Sequence, residues 1–111
     1  MSLTGCVQAS TRNLMGLFEL SANKAPSGSP LYINHNTGDP DHPKAYLYRG
    51  DERQSDRTGL WMVIDEKEGI DENKGYIRSV QADADLPTSP GVTWIQAEGL
   101  VVTQVRLRVE L

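Results

Sequence analysis

The sequence predicts an all-β fold, an antiparallel sandwich or small partly open barrel of about six or seven short strands. Three observations carry that prediction. The chain closes on a run from Val101 to Leu111 in which Val101, Thr103, Val105, Leu107, Val109 and Leu111 share one face. Gln104, Arg106, Arg108 and Glu110 share the other, with Val102 as the exception. A period of two suits a strand with one buried and one wet face, and a helix would scatter it. Next, Leu60-Trp61-Met62-Val63-Ile64-Asp65 and Gly75-Tyr76-Ile77-Arg78-Ser79-Val80 flank a polar stretch. Two such β-branched and aromatic runs read as a hairpin. Finally, the connections are too short for helical crossovers and no segment has an amphipathic helical pattern, which disfavours a parallel sheet.

Taken in order, residues 1–13 carry Thr4, Gly5, Ser10, Thr11 and Asn13 and few large side chains. Glycine and the Ser/Thr density oppose a helix, so an irregular arm is expected, with a short strand around Cys6-Val7 as the alternative. Residues 14–111 are expected to form a single β domain. In Leu14-Met15-Gly16-Leu17-Phe18-Glu19-Leu20, Met15, Leu17 and Glu19 would face one way and Leu14, Phe18 and Leu20 the other. That is the pattern of a strand buried on both faces.

Ser21 to Pro30 is a loop by composition. Leu31-Tyr32-Ile33-Asn34-His35 and Ala45-Tyr46-Leu47-Tyr48-Arg49 read as a second hairpin, because Gly38, Pro40 and Pro43 bar regular structure between them. A polar connector, 50–59, leads into the hairpin around Trp61 and Ile77. Pro87 and Pro90 mark the following loop, Val92 to Gln96 a short strand, and Ala97-Glu98-Gly99 a tight turn.

The balance of 15 acidic against 11 basic residues leaves a net charge of −4, with a pI near 5.0. Scattered Lys and Arg in such a chain give no electrostatic ground for binding a nucleic-acid backbone or an anionic membrane. The lone cysteine, Cys6, excludes an intrachain disulfide and fits a reducing compartment. No apolar run reaches the length of a membrane span, and the N-terminus lacks the regions of a signal peptide, so a cytoplasmic location is expected.

The order of short motifs resembles an uncharacterised β-rich repeat unit of protist and algal proteins. The matching residues are Gly16 and Phe18, Pro30 and Tyr32, Tyr46-Leu47-Tyr48, Trp61 and Val63, Gly69 and Gly75, then Pro90 and Trp94. The resemblance covers residues 14 to 96 and implies a small β fold. It implies no activity.

Candidate chemistry is sparse. His35, Asp39, Asp41 and His42 fall close together and could gather a divalent cation. No third histidine or thiolate is near, Pro40 and Pro43 constrain the loop, and these residue types also favour turns. Asp71-Glu72-Asn73 opens like an EF-hand loop, but the bend glycine is replaced by Tyr76 and the bidentate glutamate by Ala82. Arg49-Gly50-Asp51 spells an adhesion tripeptide that chance and a turn after a strand explain better. No nucleophile elbow or phosphate-binding glycine loop is present. Cys6 has no basic neighbour closer than Arg12 to lower its thiol pKa. No metal or cofactor is expected.

The aromatics offer more. Tyr46 and Tyr48 share a face opposite Leu47, so a core-facing Leu47 leaves two phenols to pack or to stack on a ligand. The leading expectation is a non-catalytic protein–protein interaction module with the terminal strand as a charged edge. A carbohydrate- or small-ligand module using Tyr46, Tyr48, Asp71 and Asn73 is the alternative. A small hydrolase built on His35 or His42 is the second.

Overall fold

The computed structural model describes residues 2–6, 14–25, 28–35, 43–50, 59–65, 69–70, 75–81, 87–88, 92–98 and 101–110. Nine strands form one antiparallel sheet: β1 (Ser2–Cys6), β2 (Gly16–Leu17), β3 (Glu19–Leu20), β4 (Tyr32–Asn34), β5 (Ala45–Arg49), β6 (Trp61–Ile64), β7 (Ile77–Ser79), β8 (Trp94–Glu98) and β9 (Val101–Glu110). Their order is β2-β1-β9-β8-β7-β6-β5-β4-β3. The two ends of that order, β2 and β3, are separated in the chain by Phe18 alone, so the sheet curls until it is nearly closed into a barrel.

Treating Gly16–Leu20 as one interrupted strand reduces the nine strands to eight around the ring. A barrel of about eight strands has an interior that side chains alone can fill. Alternation supplies them. Across the ladder Tyr32 lies opposite Leu47, Leu47 opposite Val63, Val63 opposite Ile77 and Ile77 opposite Gln96. Leu3, Phe18, Leu47, Trp61, Val63, Ile77, Trp94 and Val105 fill the interior as one buried cluster. Burying each of these side chains contributes about 1.5–3 kcal/mol.

Polar groups admitted to this interior are satisfied. The Ser79 hydroxyl accepts from Trp61 N–H at 2.9 Å and donates to the Gln81 carbonyl at 3.0 Å. Asn34 Nδ2 donates to the Leu14 and Met15 carbonyls at 3.3 and 3.2 Å, linking β4 to the segment that enters β2.

A second buried cluster lies on the outer face of β4, β5 and β6. Tyr46, Tyr48, Met62 and Ile64 pack there with Ala25, Leu31 and Ile70. The stretch supplying Ala25 and Leu31 is held in shape by Ser21 N–H to the Leu31 carbonyl at 2.8 Å and Gly28 N–H to the Ala25 carbonyl at 2.8 Å. One half of the barrel thus carries a covering layer.

The two anticipated hairpins are present as β4–β5 and β6–β7. Four expectations are corrected. The described residues form nine strands where six or seven were expected, because pairing supports strands of two or three residues that have little pattern of their own. Within the expected irregular arm, Ser2–Cys6 is β1, paired along its length with β9 and holding Leu3 in the core. β9 is no edge: it lies between β1 and β8. The stretch Gly16–Leu20 is not buried on both faces, since Leu17 and Leu20 are exposed and only Phe18 is enclosed.

Candidate functional site

Most of the residues singled out by sequence are either buried or outside the described residues. Leu47 faces the core and Tyr46 and Tyr48 face away from it, as the alternation requires. The phenols are nevertheless enclosed: Tyr48 is 1% exposed, and its hydroxyl donates to the Gly69 carbonyl at 3.3 Å. The covering layer therefore removes both rings from use as an open stacking platform. Asp71 and Asn73 lie outside the described residues, as do Asp39, Asp41 and His42. His35 is exposed just after β4. Among the described residues no three His, Cys, Asp or Glu side chains gather to hold a metal ion. Arg49 is committed to the barrel, with its Nε donating to the Gly59 carbonyl at 3.0 Å and its guanidinium 6.0 Å from the centre of the Trp61 ring.

The outer face of β7, β8 and β9 contrasts with the covered half. Interior-facing Ile77, Ser79, Trp94, Gln96 and Val105 are buried, which turns their alternate neighbours outward. Arg78 lies opposite Ile95, and Ile95 opposite Gln104. One row away, Ala97 lies opposite Val102, and the same register aligns Tyr76 with them. On the other side Val80 N–H donates to the Thr93 carbonyl at 2.8 Å, and the register continues to Arg106. The result is a grid of three rows on three strands: Tyr76, Ala97, Val102; Arg78, Ile95, Gln104; Val80, Thr93, Arg106. Strand spacing and rise give it sides of about 10 and 13 Å.

Tyr76, Val80 and Val102 on this grid are 43%, 53% and 57% exposed. Backbone bonds fix their positions. Tyr76 N–H donates to the Val63 carbonyl at 2.9 Å, extending the β6–β7 ladder. Near Val80 the Gln81 side chain clasps Thr93, accepting from its N–H at 2.8 Å and donating to its hydroxyl at 3.0 Å. The grid is a preformed surface that presents apolar groups beside Arg78 and Arg106. Sequence reasoning placed Tyr76 on a hairpin strand and did not group these residues. One signal was available: Val102 breaks the alternation of the last strand by placing an apolar side chain on its wet face.

Fold and site define an all-β, barrel-like antiparallel domain with a filled interior, one covered outer half and, among the described residues, exposed Tyr76, Val80 and Val102 on the outer side of β7–β9. Compared with known proteins, the chain matches no family model, no curated protein and no solved structure. The resemblance to the β-rich repeat unit finds no support in those comparisons.

Proposed function

We propose that the protein is a non-catalytic protein-recognition module that binds through the outer face of β7, β8 and β9. The observation that supports this reading is the asymmetry of the barrel's outside. The chain covers the apolar outer face of β4–β6 with its own residues, whereas Tyr76, Val80 and Val102 stand exposed on β7–β9. Exposed apolar groups clustered among polar ones are the usual mark of an interaction surface. Side chains already occupy the interior, so binding is assigned to the outside.

The test is selection of a random displayed peptide library on the purified protein, repeated with a Tyr76→Ser/Val102→Ser variant. Both replaced side chains are exposed, so the variant should melt within a few degrees of the parent. Enriched peptides that bind the parent and not the variant support the reading. Peptides that bind both equally, or no enrichment at all, would refute it.

A further inference from the structure

We infer that the barrel's seam holds a second recognition site, an open strand edge at Glu19–Leu20 that pairs with an extended peptide of alternating apolar and basic residues. The inference stands on other residues than the β7–β9 reading and does not depend on it. In an antiparallel ladder, hydrogen-bonded pairs alternate with pairs whose N–H and C=O groups point outward. Ser21 N–H donates to the Leu31 carbonyl at 2.8 Å, which fixes the phase between β3 and β4. Leu20, one residue back and opposite Tyr32, therefore directs its own N–H and C=O away from β4. On that side β3 is the last strand of the sheet. β1 runs along the neighbouring Gly16–Leu17, pairs Ser2 with Leu17 and, among the described residues, goes no further.

The side chains agree. Tyr32 packs against the interior cluster, so Leu20 opposite it belongs to the interior-facing row. Phe18, two residues earlier in that row, is fully buried, whereas Leu20 is 66% exposed. An interior-facing leucine left in solvent marks the place of a missing neighbouring strand. The groups left open specify the occupant. Outward N–H and C=O groups on a strand edge are complemented by another extended backbone. Leu20 suits an apolar side chain across the pair, and exposed Glu19, on the alternate face, suits a basic one. Residues 19–21 offer an edge of only about 10 Å. A stable dimer buries about 800 Å² on each partner, so the edge fits a short peptide better than a second copy of the chain.

The test follows backbone amides of the full chain by NMR as a capped hexapeptide of alternating lysine and valine is added. In the free protein the Leu20 amide should exchange rapidly with solvent. Saturating peptide should slow that exchange about tenfold and shift resonances around residues 18–21. Leu20→Pro removes the outward N–H without breaking a bond to β4, so it should melt within a few degrees of the parent and abolish peptide binding. Leu20→Thr keeps the N–H and loses apolar surface, and should weaken the peptide severalfold. The Tyr76→Ser/Val102→Ser variant should bind it as the parent does. A Leu20 amide already protected in the free protein, or no slowing at millimolar peptide, overturns the inference. Binding indifferent to both Leu20 variants does the same. Shifts confined to β7–β9 overturn it while leaving the recognition reading standing. Slowing that grows with protein concentration in the absence of peptide overturns it in favour of a second copy.

Discussion

Asn34 and Gly16 meet across the seam of the barrel. A Cβ built on Gly16 would come within 3.3 Å of Asn34 Nδ2, and Gly16 holds φ at +137°. The missing side chain lets the amide reach the Leu14 and Met15 carbonyls. Where backbone pairing changes from β1–β2 to β3–β4, one side chain bridges the interruption.

Removing that bridge should weaken the whole fold. Asn34→Ala is expected to lower stability by about 1–3 kcal/mol, since a buried amide's partners lose their donor. Gly16→Ala should cost a similar amount, about 1–3 kcal/mol, through backbone strain and crowding of the amide. Urea unfolding of both variants provides the measurement. Wild-type stability in Gly16→Ala would mean that the seam is held by other contacts.

Facing along β9 is open to a direct comparison. Val105 is buried in the barrel and Gln104 is exposed beside it. Val105→Asp should unfold the domain at room temperature, because a carboxylate there has no partner in the apolar cluster. Gln104→Asp should change stability by no more than about 0.5 kcal/mol. Thermal melts of the pair would expose reversed faces at once, as the two effects would exchange places.

The outer cluster makes Tyr46 and Tyr48 structural residues. Aromatic-to-alanine substitutions in packed sites cost about 3–5 kcal/mol each, so a Tyr46→Ala/Tyr48→Ala protein should fail to fold cooperatively. Tyr48→Phe keeps the ring and loses only the bond to the Gly69 carbonyl, at a cost of about 0.5–1.5 kcal/mol. A double-alanine variant that retained its melting temperature would return the phenols to consideration as a ligand face.

Gly69 sets the fit between the covering layer and β6. A Cβ added there would collide with Ile64 Cγ1. Gly69→Ala should destabilise by about 1–3 kcal/mol through overpacking. Combining it with Ile64→Ala should cost less than the sum of the two single changes, because the second makes room for the first. Strict additivity in a double-mutant cycle would argue that the two residues do not touch.

How far the sequence disclosed this architecture depended on the source of each element's order. β9 carries its own alternation and the β6–β7 hairpin its own β-branched and aromatic runs, and both were readable. β1 has almost none: Leu3 is its one large core side chain, and its regularity comes from β9, a partner nearly the whole chain away. β2 and β3 are two residues each and exist only through their neighbours. Tyr46 and Tyr48 were placed on the correct face, but alternation within one strand carries no information about a distant segment folding over that face. The β7–β9 grid was hidden for a related reason. Its rows assemble residues from three strands, and only the register brings Tyr76, Val80 and Val102 onto one surface.

The strand order also sets a temporal asymmetry in folding. From β3 to β9 every ladder joins strands that follow one another in sequence, as does β1–β2, and each can form by closing a comparatively short loop. The β1–β9 ladder is different, since Ser2 must find Glu110. Loop-closure entropy grows with the length of chain enclosed, so this ladder bears the largest entropic penalty until the intervening strands have already drawn its two sides together. The meander can therefore assemble progressively, whereas zipping β1 to β9 belongs to the last stage. Substitutions confined to that final ladder should accelerate unfolding while leaving the folding rate almost untouched.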